Sequence, residues 1–165
     1  MKKQEALDQL LKAFYKYYTV NTETPAKPFA AEAVFSSHAE QYFLFKSAKL
    51  SDIDNNEYVF FALEDSLTPE RVTQLCEQAW QEGTGRMHIA SGHRNSDVTV
   101  IILTDRMDEE TKKHIRAVKR RVQYRFGLWG WSDLKLIAYE ISTGTHAHNR
   151  QGRDLPKLLS NIHLF

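Results

Sequence analysis

This sequence of 165 residues contains only one cysteine, Cys76, and only four prolines. A single cysteine excludes an internal disulfide framework and any zinc module built from CxxC pairs. No apolar run approaches the roughly 18 residues that a transmembrane helix requires, and Glu5 and Asp8 interrupt the segment after the basic N-terminus. These absences predict a cytoplasmic protein that does not enter a membrane.

The sequence also lacks a dominant charge and the common catalytic motifs. Its net charge at neutral pH is +1, so no overall field selects a partner. It contains no phosphate loop of the GxxxxGK(S/T) or GxGxxG type, no GxSxG nucleophile elbow and no HExxH zinc helix. Enzyme activity therefore stays open, and the sequence indicates no cofactor beyond the option of a divalent metal ion.

Two buried strands, each followed by a capped helix, dominate the middle of the chain. Residues 58–70 and 98–110 each run from an apolar strand through an aspartate and a short turn into an acidic helix start. Thr68 with Pro69 begins the first predicted helix, and Asp108 caps the second. This similarity between the two segments predicts two ββα units plus a closing strand, with the two repeated strands parallel. Any two strand–turn–helix units share this pattern, so the similarity does not establish a true internal repeat.

The core is predicted to open with a β-hairpin. Residues 41–49 and 57–64 are apolar and rich in aromatic side chains, and residues 51–56 between them are turn formers. The second run is apolar almost throughout, as is typical of a strand covered on both faces. In the helix that follows, Cys76 and Trp80 lie on the apolar stripe, so we expect both to be buried.

Together these patterns predict a single α+β domain, in which a mixed sheet of four or five strands packs against three principal helices. The expected order is an N-terminal helix (residues 1–20), a linker (21–36) that contains two closely spaced prolines, a core (37–144) and a polar C-terminal tail (145–165).

Two short motifs resemble an uncharacterised family of bacterial domains. They are FGLWGW at residues 126–131 and NRQG at residues 149–152, and the similarity extends from about Tyr42 to Gly152. The resemblance implies membership of a family without an assigned activity. No catalytic residue can therefore be carried over from it.

The clearest charge feature is Lys112–Arg125, which holds seven of the 22 basic residues and no acid, so the other 151 residues carry −6. We expect one helix to run through this segment with its bases on the solvent face. The bases could neutralise phosphates while the aromatic residues of 124–131 stack on nucleotide bases. The candidate anion-binding residues here are Lys112, Arg116, Lys119 and Arg120. Bases near a helix C-terminus also suit its dipole, so a solvated or dimer-forming face is the alternative.

The polar segment after the last predicted strand adds further candidates. Asn149 and Arg150 join the anion-binding set, because the Arg guanidinium forks onto carboxylates and phosphates and Gly152 permits a tight loop. His146 and His148 would point the same way in an extended segment and could hold one metal ion. Alternatively, these side chains only attach the tail to the domain.

Two aspartates, Asp65 and Asp105, end the repeated strands. If these strands are neighbours, the two carboxylates could share a divalent cation, because ligands gather at the carboxyl ends of strands in open sheets. Alternatively, each aspartate caps the turn before its helix. Asp133 and Lys135 match half of a restriction-type nuclease motif. A whole helix separates them from Asp97, however, whereas that motif requires its partner acid on the preceding antiparallel strand.

Three functions are compatible with these features. The favoured hypothesis is a non-enzymatic domain that binds nucleic acid or a phosphorylated ligand through the basic helix and the loop at residues 149–153. The second is a metal-dependent phosphoester hydrolase that uses Asp65, Asp105, His146 and His148. The third is a self-associating module, with a homodimer formed through the aromatic residues 126–131.

Overall fold

The computed structural model describes residues 1–36, 54–87, 89 and 93–161. The strands are β1 (Thr19–Asn21), β2 (Ala31–Ser36), β3 (Asp54–Leu67), β4 (His93–Met107), β5 (Arg121–Gln123), β6 (Trp131–Glu140) and β7 (His146–His148). The α-helices are α1 (Lys3–Phe14), α2 (Pro69–Arg86), α3 (Glu109–Ala117) and α4 (Leu155–Asn161). Within these described residues the fold is α+β, with one mixed seven-stranded sheet in the order β1-β2-β3-β4-β6-β5.

The centre of the sheet is parallel. β4 lies between β3 and β6, and Ile101 of β4 is in register with Phe61 on one side and Ile137 on the other. α2 connects β3 to β4, and α3 lies between β4 and β6, so the two repeated strands are parallel neighbours as their similarity predicts. Two short strands pair with the edge of β6 that faces away from β4. β5 pairs with residues 131–133, and β7 pairs with residues 137–139.

Each face of the sheet is covered by helices. One core contains the apolar residues of α2 and the buried Ile115 of α3, together with Phe60, Val100 and Leu136 of the sheet. The other contains residues of α1 and α4 with Phe61, Ile101 and Ile137. Side chains alternate along a strand, so successive apolar residues of β3, β4 and β6 enter opposite cores. The predicted burial of Cys76 and Trp80 is confirmed, since both lie in the first core.

The helix starts agree with the predicted caps, but one helix is much shorter than expected. The Thr68 hydroxyl accepts a hydrogen bond from the Arg71 N–H at 3.2 Å, and the Asp108 carboxylate accepts one from Thr111 at 2.8 Å. α3 then stops at Ala117 instead of continuing to Arg125. Residues 121–123 pair with β6 as β5, and this hairpin pairing overrides the local helical spacing.

Three other expectations need correction. The described residues form seven strands rather than four or five. The segment expected to be a linker contains β2, whose Ala31 and Ala33 are buried in the second core. The segment expected to be a tail contains β7 and α4, and Leu155 and Leu159 of α4 are also buried there. Three-residue strands and a seven-residue helix are too short to produce a clear periodic pattern.

The strand predicted at residues 41–49 lies outside the described residues. Among the described helices, none combines the length and apolar character needed to cross a membrane.

Candidate functional site

The cations of the basic segment fall into two groups. Lys112 Nζ lies 3.4 Å from Glu109 Oε1. Arg120 forms an ion pair with Glu77 at 2.5 Å, and its guanidinium lies 4.8 Å from the Trp80 ring centroid. The hydrogen bond from Arg120 also lowers the pKa of Glu77. These contacts attach Lys112 and Arg120 to the domain itself.

Arg116 and Lys119 form the second group. Both side chains are exposed, and no acid of the described residues forms an ion pair with either. Arg116 lies in the last turn of α3, and Lys119 follows the end of that helix. Both cations are therefore available to an external partner.

An aromatic turn connects β5 to β6, and we call its residues 124–130 the hairpin tip. Arg125 and Phe126 both have a left-handed backbone, with φ of 51° and 55°. Such a conformation costs about 1–3 kcal/mol for a non-glycine residue and is common at functional sites. Phe126 is fully exposed and Leu128 is 82% exposed. The Arg125 guanidinium lies 4.6 Å from the Trp129 ring centroid, so cation and aromatic groups alternate at the tip.

Asn149, predicted to contact an anion, is buried and binds the backbone of β6. Its Oδ1 accepts hydrogen bonds from Leu136 N and Gly152 N, both at 2.9 Å. Its Nδ2 donates to Leu134 O at 2.8 Å and to Val118 O at 3.2 Å. These bonds use both donors and both acceptor positions of the amide. Asn149 therefore has a structural role in place of the anion contact.

Arg150 is exposed, in contrast to Asn149. The bond from Asn149 Nδ2 to Val118 O places Asn149, the sequence neighbour of Arg150, beside the chain that leaves α3. No acid of the described residues forms an ion pair with Arg150, so the structure does not pair it with Asp105 or Asp133.

The candidate metal ligands do not form one centre. Lys3 Nζ bridges the two aspartates, at 2.8 Å from Asp65 and 2.5 Å from Asp105. Its hydrogen bond lowers the pKa of Asp65, whose side chain is 93% exposed. Among the described residues, no group of three His, Cys, Asp or Glu side chains is placed to hold a metal ion. An ammonium group thus occupies the position between the carboxylates where a cation was expected.

The two histidines lie together on β7, as their spacing predicts. The ring centroids of His146 and His148 are 6.2 Å apart with an interplanar angle of 30°. Burial lowers the pKa of His146, with a smaller effect from His148. Nδ1 of His148 lies 2.8 Å from the carbonyl oxygen of Asn149. The pair is therefore integrated into the edge of the sheet.

Sequence reasoning missed a polar cleft near the amino ends of the parallel strands, which we call the amino-end cleft. Its volume is about 240 Å³. It is lined by Tyr18, Phe35, Asn56, Glu57, Asn95, Asp97 and Lys135. Lys135 Nζ lies 3.1 Å from Asp97 and 3.6 Å from Glu57. The signal was present in the sequence, because Glu57 and Asp97 each lie just before the apolar run of a strand and Lys135 lies within another such run.

Burial changes the protonation equilibria in the amino-end cleft. Desolvation raises the pKa of Asp97 even though Lys135 acts in the opposite direction. Desolvation also lowers the pKa of Lys135, but the attraction of Asp97 and Glu57 outweighs it, and the net pKa is raised. Lys135 therefore remains an ammonium group at neutral pH and is unsuited to act as a nucleophile.

The fold and these surfaces define a single-sheet α+β domain with an exposed aromatic turn and a separate polar cleft. The chain belongs to the family described as a domain of unknown function (DUF8052), which it matches over residues 2–161. The match begins earlier and ends later than the motifs suggest. No curated protein and no solved structure matches the chain. Because the family carries no assigned activity, no residue role transfers from it.

Proposed function

We propose that this domain binds single-stranded nucleic acid through the hairpin tip and the exposed cations at the end of α3 and after β7. The observation that carries the proposal is the complete exposure of Phe126 on a backbone held in a left-handed conformation. Folding normally buries a phenylalanine, since its removal from water contributes about 1.5–3 kcal/mol. An aromatic ring kept in solvent at the cost of backbone strain is available to stack on a base.

Exposed cations favour an anionic partner. Arg125 lies in the hairpin tip, Arg116 and Lys119 lie at and just after the end of α3, and Arg150 follows β7; all four are exposed. Arg125 also contacts the Trp129 ring, so a phosphate bound there would lie next to an aromatic surface. Phosphate contacts by such cations provide most of the sequence-independent affinity for nucleic acids.

The geometry favours a nucleotide chain over a small phosphorylated ligand. Phe126 and Leu128 lie almost entirely in solvent, so a small molecule on them would itself stay largely hydrated. Several nucleotides can cover both side chains and reach the cations at the end of α3. A non-specific single-strand surface combines stacking platforms with spaced cations in this way.

The test is fluorescence anisotropy with a labelled polythymidine oligonucleotide over a series of salt concentrations. Phe126→Ala should weaken binding about tenfold, because stacking on one base contributes roughly 1–3 kcal/mol. Lys119→Ala should reduce the salt slope by about 0.7, the value for one phosphate contact on a single strand. Tyr15→Ala is the matched control, since Tyr15 is also an exposed aromatic residue but lies just after α1. Equal affinities of the Phe126 and Tyr15 variants, or no binding at low salt, would overturn the proposal.

A second candidate is self-association through the same turn. It is favoured by the exposed apolar side chains of Phe126 and Leu128 and by strand β5 at the sheet edge, whose three residues are all exposed. Sedimentation velocity over a range of concentrations distinguishes the two functions. Self-association would be supported by a dimer that Leu128→Ala disrupts. Added salt should strengthen this dimer or leave it unchanged. A monomer at all concentrations would exclude it.

A further inference from the structure

The amino-end cleft lies on three adjacent strands and is remote in sequence from the hairpin tip. Glu57 of β3, Asp97 of β4 and Lys135 of β6 share the alternation of Phe61, Ile101 and Ile137, which face the second core. Charged side chains thus replace apolar ones at the amino end of this face.

The hydrogen bonds of the cleft hold its carboxylates in place. Glu57 accepts hydrogen bonds from the Tyr18 hydroxyl and from the Thr99 hydroxyl, the latter at 3.0 Å. Asp97 accepts from Asn95 Nδ2 at 3.2 Å and from the backbone N–H of Asp133 at 3.3 Å. Acceptors fixed by donors on several elements are arranged before any ligand arrives, which reduces the entropic cost of binding.

The charges in the cleft indicate the sign of the charge that its ligand carries. Among the described residues that line the cleft, Glu57 and Asp97 oppose the ammonium group of Lys135, which leaves these three side chains a net charge of about −1 when both acids are ionised. The nearby Asp133 does not change this balance, because Arg121 forms two hydrogen bonds with it at 2.6 and 2.7 Å. A partly buried excess of negative charge is unfavourable, and one added positive charge neutralises it.

The walls of the cleft identify the rest of the ligand. The ring centroids of Tyr18 and Phe35 are 5.4 Å apart, so the two side chains form one aromatic wall. An aromatic wall attracts cations and also covers a ligand ring. A volume of about 240 Å³ is small for a ligand pocket and suits a molecule with a single ring or a short chain.

We propose that the amino-end cleft binds a small organic cation, a primary amine or guanidinium compound with a compact apolar portion. Glu57 and Asp97 receive the positive group, and Tyr18 and Phe35 cover the apolar portion. This binding site is independent of the nucleic-acid surface proposed above.

Isothermal titration calorimetry with tyramine, histamine and agmatine tests the proposal on the full chain. At least one of the three should bind, while 4-ethylphenol, which resembles tyramine but lacks the amine, should not. The matched acid 3-(4-hydroxyphenyl)propionate should not bind either, because its charge has the wrong sign. Failure of all three cations, or equal binding of 4-ethylphenol, would overturn the proposal.

Two variants locate the binding. Glu57→Gln removes one charge but can still bond to both neighbouring hydroxyls, since one can donate to its amide oxygen and the other can accept from its amide nitrogen. It should weaken binding of the amine on the order of tenfold. Glu64→Gln is the matched control on the same strand, since Glu57 and Glu64 are 19% and 17% exposed and Glu64 is paired with Arg71. Equal effects of the two substitutions contradict the proposal, and melting curves of both proteins establish that they are folded.

A third variant separates the cleft from the hairpin tip. Phe126→Ala should leave the affinity for the amine unchanged, although it weakens binding of the oligonucleotide. A comparable loss of amine affinity in Phe126→Ala would place the ligand at the hairpin tip and contradict the proposed cleft site.

Discussion

The side-chain amide of Asn149 occupies a place on the edge of β6 that a neighbouring strand would otherwise fill, with its Oδ1 2.9 Å from Leu136 N. β5 pairs with Trp131, Ser132 and Asp133, and β7 pairs with residues 137–139, so the strand edge between them has no strand partner. Asn149 bonds to the backbone of β6 in this gap through its side chain and through its own N–H. It therefore joins two short edge strands into one continuous edge.

We predict that Asn149→Ala destabilises the domain by about 3 kcal/mol, because it leaves buried backbone donors and acceptors without partners. Asn149→Asp should also destabilise, since a carboxylate cannot donate to Leu134 O and Val118 O. Urea denaturation monitored by circular dichroism measures both effects. An Ala variant as stable as the wild type would show that the amide does not hold the sheet edge.

Gly152 and Gly85 should respond in opposite directions to substitution by alanine. A Cβ atom on Gly152 would lie 2.7 Å from Leu136 O and 2.9 Å from Asn149 Oδ1, and neither atom can move freely. We expect Gly152→Ala to cost roughly 1–3 kcal/mol, as overpacking usually does. A Cβ atom on Gly85 meets nothing within 4 Å, and the residue lies in α2.

Gly85→Ala should therefore stabilise the domain by up to about 1 kcal/mol through higher helix propensity. Melting temperatures of the two variants, recorded side by side, check both directions. A Gly152→Ala variant that melts above the wild type contradicts the close approach to β6.

The ion pair between Glu32 and Arg86 should make stability depend on pH. Two parallel hydrogen bonds of 3.1 and 3.0 Å join the Arg86 guanidinium to the Glu32 carboxylate. Burial raises the pKa of Glu32, but the bonds from Arg86 and from Ala26 N outweigh burial and hold the pKa below its ordinary value of 4.5. The carboxylate therefore contributes stability above pH 4.5, and this contribution is lost as the pH falls through the lowered pKa.

Glu32→Gln should reduce the free energy of unfolding at pH 7 by about 2 kcal/mol, as expected for hydrogen bonds to a charged group. The difference from the wild type should shrink as the carboxylate is protonated in acid. Chemical denaturation at a series of pH values measures it. A difference that stays constant down to acidic pH would exclude the ionised carboxylate as its source.

Cys76 should be chemically inert while the domain is folded. Burial raises the pKa of its thiol to about 12, with a smaller effect from Glu77. The thiolate is the reactive form, so Ellman's reagent should label the native protein only as fast as the chain unfolds. The denatured protein should react at once at the same pH. Rapid labelling of the folded protein would show that the thiol is accessible.

Local sequence signals determined much of the framework of this domain. The caps at Thr68 and Asp108, the apolar stripe that carries Trp80, and the two parallel strand–helix units were all predicted correctly. The caps and the stripe depend on contacts between residues close in sequence or on the apolar periodicity of one element, and the parallel arrangement follows from the helix that connects the two strands. Such features can be read from a single chain because the physical cause lies within a few turns of helix or one strand.

The tertiary structure alone decided the edges of the sheet and the candidate sites. β5 stands where the second half of the helix was predicted, because residues 121–123 pair with β6. The local spacing of the residues does not reveal this pairing. The side-chain amide of Asn149 could bind a ligand, and only the position of β6 shows that it bonds to the backbone of a strand instead. Glu57, Asp97 and Lys135 are far apart in sequence, and only the register of three parallel strands brings them into one cleft. Pairing between strands sets these positions, and it depends on the free energy of the whole fold.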